Sequence, residues 1–156
     1  MPLNCDCFAF EAEFTADLRC IPMAVRRKLD LAGIKLKLLH WSALTAAERQ
    51  DLLAWDDSPE AVAALREHLL TRTRQLAAGE AGTLPLPAGE PWQQGQDWPE
   101  TVLASCRQLG LAPDPGGWSR LSELQRFALV KLSHPGHEHR NLPRALAEFG
   151  LLQPGR

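Results

Sequence analysis

Apolar residues recur every three or four positions along most of this chain. Ile21, Val25 and Leu29, spaced by four, show the pattern, which places side chains on one face of a helix. Strand-type alternation occurs only briefly, between residues 8 and 14. The sequence therefore predicts an all-α fold, an irregular bundle of about six or seven helices.

Start and stop signals give these helices their boundaries. Thr45 and Glu48 form a capping box, and Ser58-Pro59-Glu60 combines an N-cap hydroxyl, a first-turn proline and an acid. Gly33 suits the left-handed position after a helix. The predicted helices are 22–31, a short turn at 38–41, 45–53, 58–76, 97–109, 118–132 and 141–150.

Residues 79–97 interrupt the periodicity. Seven of these nineteen residues are glycine or proline, and connections in compact domains are usually shorter. The segment is either a mobile linker or a functional loop, and its composition favours the linker. We therefore expect one helical domain over 1–156, with lobes at about 8–77 and 98–152.

Charge and hydropathy exclude several classes of function. The formal net charge of −2 gives no general attraction for nucleic acid or anionic lipid. The basic run Arg26-Arg27-Lys28 precedes Asp30 on a predicted helix, which favours a solvated helix face. No apolar run approaches the roughly 20 residues of a membrane helix. The first seven residues lack the basic and apolar regions of a secretory signal, so we expect the protein to be cytoplasmic.

Two groups of side chains could bind a metal ion. Thiolates and neutral imidazoles are good ligands for zinc and copper. The spacings here, however, match no familiar metal site. The cysteines could instead belong to a frayed terminus and the histidines to a surface loop, and neither of these needs a metal. The candidate ligands are Cys5, Cys7, Cys20, His134, His137 and His139.

Support for catalysis is weaker still. Cys20 could pair with one of those histidines only through folding, and its neighbours match no cysteine-enzyme signature. Nucleotide-binding and serine-hydrolase motifs do not occur. Cys106 falls on a predicted core stripe, and the five tryptophans are typical of packing anchors.

Two separated blocks carry a family resemblance. The first contains Phe8-Ala9-Phe10-Glu11, Leu18-Arg19-Cys20-Ile21-Pro22-Met23, Val25-Arg26-Arg27-Lys28-Leu29-Asp30 and Gly33-Ile34-Lys35-Leu36. The second contains Gln125-Arg126-Phe127-Ala128-Leu129-Val130-Lys131-Leu132-Ser133, Pro135-Gly136-His137-Glu138 and Asn141. Together with Trp41 and Glu48-Arg49-Gln50 they are similar to the nitrate-reductase-associated proteins.

The resemblance implies an accessory factor for assimilatory nitrate reductase, an enzyme that carries molybdopterin and an iron–sulfur cluster. It implies no catalytic residues, and we expect no resident cofactor. A further hypothesis is a transient contact with a metal or with molybdopterin, whose phosphate arginine and histidine could hold. We expect a maturation or assembly factor whose binding residues come from both blocks. These candidates are Arg19, Cys20, Met23, Arg26, Lys131, Ser133, His137, Glu138 and Asn141.

The chain departs from the family pattern at a few positions. His134, His139 and Leu142 replace an expected arginine, asparagine and phenylalanine, and Cys5 and Cys7 are peculiar to this chain. The alternative function is a small metal-binding or metal-delivery protein that uses the cysteines and histidines above. Oligomeric state, and the choice between a transient factor and a stable subunit, stay open at the level of sequence.

Overall fold

A computed structural model of the chain describes residues 7–12, 18–134 and 141–152. Within these ranges lie seven α-helices, which confirms the predicted all-α class. They are α1 (Met23–Ala32), α2 (Leu38–Ala43), α3 (Ala46–Ala54), α4 (Pro59–Arg74), α5 (Glu100–Gln108), α6 (Glu123–Leu132) and α7 (Asn141–Glu148). In this described part of the chain no helix is long and apolar enough to cross a membrane.

The chain divides into two compact units, Met1–Pro87 and Ala88–Arg156. Unit 1 contains α1 to α4, and unit 2 contains α5 to α7. Each unit has its own set of fully buried large side chains. In unit 1 these include Ile34, Trp41, Leu65 and Leu69, and in unit 2 Trp118, Phe127, Leu129, Leu142 and Leu146.

The helix starts in unit 1 follow the predicted signals. Thr45 Oγ1 accepts a hydrogen bond from Glu48 N at 3.1 Å, and Glu48 Oε1 accepts one from Thr45 N at 2.9 Å, which completes the capping box of α3. Ser58 Oγ accepts a hydrogen bond from Ala61 N at 3.2 Å at the head of α4. These local contacts need only short-range sequence, and the sequence therefore predicts them well.

The helix predicted over 118–132 starts too early. Trp118–Arg120 forms a 3₁₀ turn, and α6 begins only at Glu123. Ser122 Oγ accepts a hydrogen bond from Gln125 N at 3.1 Å, and Gln125 Oε1 accepts one from Ser122 N at 2.9 Å. This capping box starts a new helix at Glu123. The helical spacing of apolar residues continues without interruption from Trp118, so that spacing alone does not predict the break.

The Gly- and Pro-rich segment 79–97 makes contacts that its composition does not predict. Gly82–Thr83 forms strand β2, which pairs antiparallel with strand β1 at Ile34–Lys35. Further along, a 3₁₀ turn at Pro91–Gln93 buries Trp92, whose ring meets Phe127 edge-on at 5.1 Å. The division between the two units, after Pro87, falls inside this segment.

The basic run of α1 is not the solvated face that the sequence predicts. Lys28 is buried, and its Nζ donates hydrogen bonds to Leu52 O at 3.2 Å and Leu53 O at 2.7 Å. Arg27 pairs with Asp57 at 2.9 Å, and Arg26 Nε donates to Ile21 O at 3.0 Å. Lys28 turns inward because the last carbonyls of α3 lack partners within their helix and carry partial negative charge.

The tryptophans act as packing anchors, as predicted. Trp41, Trp92 and Trp118 are almost completely buried, and Trp55 and Trp98 are half-buried. Buried indoles usually need an acceptor for the ring N–H. Four of the five donate to a backbone carbonyl, at 2.7 to 2.9 Å: Trp41 to Leu18, Trp55 to Ala61, Trp98 to Asp114 and Trp118 to Gln94.

Candidate partner-binding site

The candidate residues of the first block lie in unit 1 and differ in accessibility. Arg19 is exposed, and Cys20 is half-buried with a free thiol. Met23 is buried at the start of α1, and its backbone N–H donates to Glu11 Oε2 at 3.1 Å. Arg26 is half-buried against the carbonyl of Ile21. Of these four, Arg19 offers the most surface to a partner.

Leu18, which precedes them, has an unusual backbone. Its φ of 59° is the only positive value at a non-glycine residue within the described ranges, and this left-handed region is unfavourable for leucine. Its carbonyl accepts the Trp41 indole at 2.7 Å and Arg49 Nη1 at 3.5 Å. Arg49 also donates to the carbonyls of Trp41 and Ser42 at the end of α2. These bonds stabilise the strained turn that presents Arg19 and Cys20.

The candidate residues of the second block lie in unit 2. Lys131 is half-buried, with Nζ 5.2 Å from the centre of the Phe127 ring. Ser133 and Asn141 are buried. Ser133 Oγ donates to Leu129 O at 2.7 Å, and Ser133 O accepts a hydrogen bond from Ser105 Oγ at 2.9 Å. Ser133 therefore closes the end of α6. His137 and Glu138 lie outside the described residues.

The structure describes only some of the candidate metal ligands. Cys7 and Cys20 are half-buried, and His134 is exposed. No three His, Cys, Asp or Glu side chains gather as a metal site within the ranges that the structure describes. Cys5, His137 and His139 lie outside those ranges, so a site that uses them stays a prediction.

Cys106 confirms its predicted place in the core. Its side chain is buried on α5, and burial raises the pKa of its thiol because the apolar surroundings disfavour the thiolate. A thiol of this kind is a poor nucleophile.

Unit 1 also contains a groove that the sequence did not predict. It has a volume of about 380 Å³ and lies between α1 and α4. Most of its lining is apolar, and its two charged members are Asp57 and Arg66. The lining residues are Leu31, Ala32, Asp57, Pro59, Val62, Ala63, Arg66 and Leu86.

One sequence pattern does indicate a second surface on α4. Pro59, Val62, Ala63 and Arg66 are spaced i, i+3, i+4, i+7, which places them on one stripe of α4. The deeply buried stripe of the same helix uses Leu65, Leu69 and Thr73 instead. Val62 is not part of that buried stripe and lies half-exposed in the groove.

Comparison with known proteins gives a family but no closer relative. Neither the curated proteins nor the solved structures contain a match. A family model described as conserved nitrate reductase-associated protein matches residues 7–149, which is nearly the whole chain. The chain therefore belongs to the family of conserved nitrate reductase-associated proteins.

Proposed function

We propose that this protein is a non-catalytic accessory factor, which binds a molybdenum-dependent nitrate reductase in the cytoplasm and assists its maturation or assembly. The observation that carries the proposal is the family match over residues 7–149, because the family is described by its association with nitrate reductase. Binding before or during cofactor insertion is our step beyond that description.

The chemistry of unit 1 supports binding over catalysis. Lys28 and Arg49 direct their cationic groups to backbone carbonyls, so these two charges serve the fold itself. The concave surface between α1 and α4 is mainly apolar and open to solvent, which suits association with another protein. A reaction would instead require a nucleophile, an acid or a base aimed into such a cavity.

A deletion strain tests the maturation role. We expect cells without this protein to accumulate nitrate reductase polypeptide that has little molybdenum and little activity. Expression of the wild-type chain should restore both. The measurements are an immunoblot for the polypeptide, and elemental analysis and activity of the purified enzyme.

A second molybdenum enzyme of the same cells provides the control. Its activity should not change, because the proposed factor acts on nitrate reductase and not on synthesis of the cofactor. Nitrate reductase with full molybdenum content and full activity in the deletion strain would refute a maturation role.

A further inference from the structure

The groove between α1 and α4 contains a cation that has no carboxylate partner within the described residues. Arg66 is half-buried, and its Nη1 donates to Ala32 O at 2.8 Å and Gly33 O at 3.3 Å. In the part of the chain that the structure describes, its Nε and Nη2 donate no hydrogen bond, although both are strong donors. The guanidinium is therefore held in place by one nitrogen and keeps a second edge for an acceptor.

The charges around the groove favour an anionic occupant. Asp57, the acidic member of the lining, pairs with Arg27 at 2.9 Å. Since Asp57 is engaged by Arg27, Arg66 is the charged lining residue that an anion would meet. A carboxylate that reached Arg66 would form charge-assisted hydrogen bonds, which are stronger than bonds between neutral groups.

The remaining lining favours an aliphatic group next to that carboxylate. Leu31, Ala32, Pro59, Val62 and Ala63 offer apolar surface, and Leu86, 64% exposed, forms the lip. Leu84 lies two residues before Leu86 and is also partly exposed, at 38%.

The shape of the groove favours a protein segment over a free small molecule. Small-molecule sites usually enclose most of their ligand. Here Asp57, Pro59, Ala63 and Leu86 are all exposed, so the groove is open along its length. A side chain on a continuing polypeptide fits such a site, because the rest of the segment stays outside.

We propose that this groove binds a segment of a partner protein in which an aliphatic residue stands beside a glutamate or aspartate. The aliphatic side chain packs against Val62 and Leu86, and the carboxylate accepts hydrogen bonds from Arg66. That the segment belongs to nitrate reductase rests on the proposed function. The recognition chemistry rests on the groove alone.

Two exposed alanines of α4 provide a matched pair of variants. Ala63 lines the groove one turn before Arg66, whereas Ala64 is also exposed but lies outside the lining. Ala63→Glu puts a carboxylate into the groove, where it competes for Arg66. Ala64→Glu makes the same change of charge and helix propensity on the same helix. Equal thermal midpoints of the two variants would establish that both fold.

The first experiment is an NMR titration of the ¹⁵N-labelled full chain with the capped peptide acetyl-Glu-Leu-Leu-amide. We expect millimolar peptide to shift the amides of Val62 and Ala63 and the Arg66 Nε resonance. The matched peptide acetyl-Gln-Leu-Leu-amide should bind about five- to tenfold more weakly, because it loses the charge-assisted bonds. Ala63→Glu should remove the shifts, and Ala64→Glu should keep them.

The proposal is wrong if neither peptide shifts these resonances, if the two peptides bind equally, or if Ala63→Glu binds as well as Ala64→Glu. A dimer of this chain that Ala63→Glu dissociates would also overturn it, because the groove would then hold a second copy.

A second experiment separates this inference from the proposed function. Purified nitrate reductase should bind wild-type and Ala64→Glu chains equally and the Ala63→Glu chain at least about tenfold more weakly. Equal binding of all three would overturn the groove proposal and leave the proposed function intact. Peptide binding without any binding to nitrate reductase would support recognition of an acidic and aliphatic segment by the groove, and would contradict the proposed function.

Discussion

At the scale of single residues, the direction in which a cation points was the least predictable property. Lys28 looks like part of a basic surface run, but the structure buries it on the carbonyls of Leu52 and Leu53. Arg66 and Gly33 meet across 33 positions of sequence. Such pairs depend on which helix end lies beside which side chain, and a local pattern contains no information about that.

Glu48 combines a predictable contact with an unpredictable one. Its capping box with Thr45 was predicted from spacing, but its salt bridge to Arg72 Nε at 2.6 Å joins α3 to α4. The hydrogen bond from Arg72, and then the one from Thr45 N, lower the pKa of Glu48 from 4.5 to about 2. A depressed pKa means that the folded state prefers the ionised carboxylate.

This shift predicts a pH dependence of stability. The stabilisation is fully present above pH 4.5 and is lost as the pH falls from there toward 2, because protonation of Glu48 costs more in the folded state. We expect Glu48→Gln to lower the free energy of unfolding by about 1–2 kcal/mol near neutral pH, and by less than half of that near pH 3. Urea denaturation at the two pH values measures both.

Glu67→Gln provides the control for that experiment, since Glu67 is exposed on the same helix as Arg72. Its effect should stay within about 0.5 kcal/mol at both pH values. A Glu48→Gln effect of the same size at low and neutral pH would contradict the assigned salt bridge.

At the scale of elements, the sequence predicts starts and stops better than contacts. Thr45, Ser58 and Gly33 mark real helix boundaries, because capping depends on residues a few positions apart. The break before Ser122 was missed because its capping signal lies within a continuous apolar register. The pairing of β1 with β2 could not be predicted, since two-residue strands have no measurable period.

Gly33 connects the end of α1 with β1 and tests this account of the elements. Its φ is 68°, and a Cβ there would lie 2.7 Å from Arg66 Nη1 and 2.8 Å from Leu84 O. Gly33→Ala should therefore lower the free energy of unfolding by about 2–4 kcal/mol, from backbone strain and steric overlap together. Denaturant titration measures the loss.

Gly79 is the matched control, because its φ is 83° and a Cβ there would meet nothing within 4 Å. Gly79→Ala should cost only the left-handed strain, about 1 kcal/mol. If the two variants lost the same free energy of unfolding, close packing of Arg66 and Leu84 against Gly33 would not explain the loss at Gly33.

At the scale of the whole molecule, the all-α class and the family membership followed from sequence. The class followed because helical periodicity recurs along the chain, and the family because two separated blocks stand in order. The groove was not predicted, since it requires α1, α4 and the segment after β2 together. The candidate residues Ser133 and Asn141 were identified by type, and type alone does not reveal that both are buried.

Direct binding of the purified full chain to purified nitrate reductase of the same organism tests the maturation role. We expect a complex with the enzyme that lacks molybdopterin, at least about tenfold tighter than with the loaded enzyme. Equal affinity for both forms would indicate a stable accessory subunit and contradict the maturation role. Binding to neither form would contradict the proposed function as a whole.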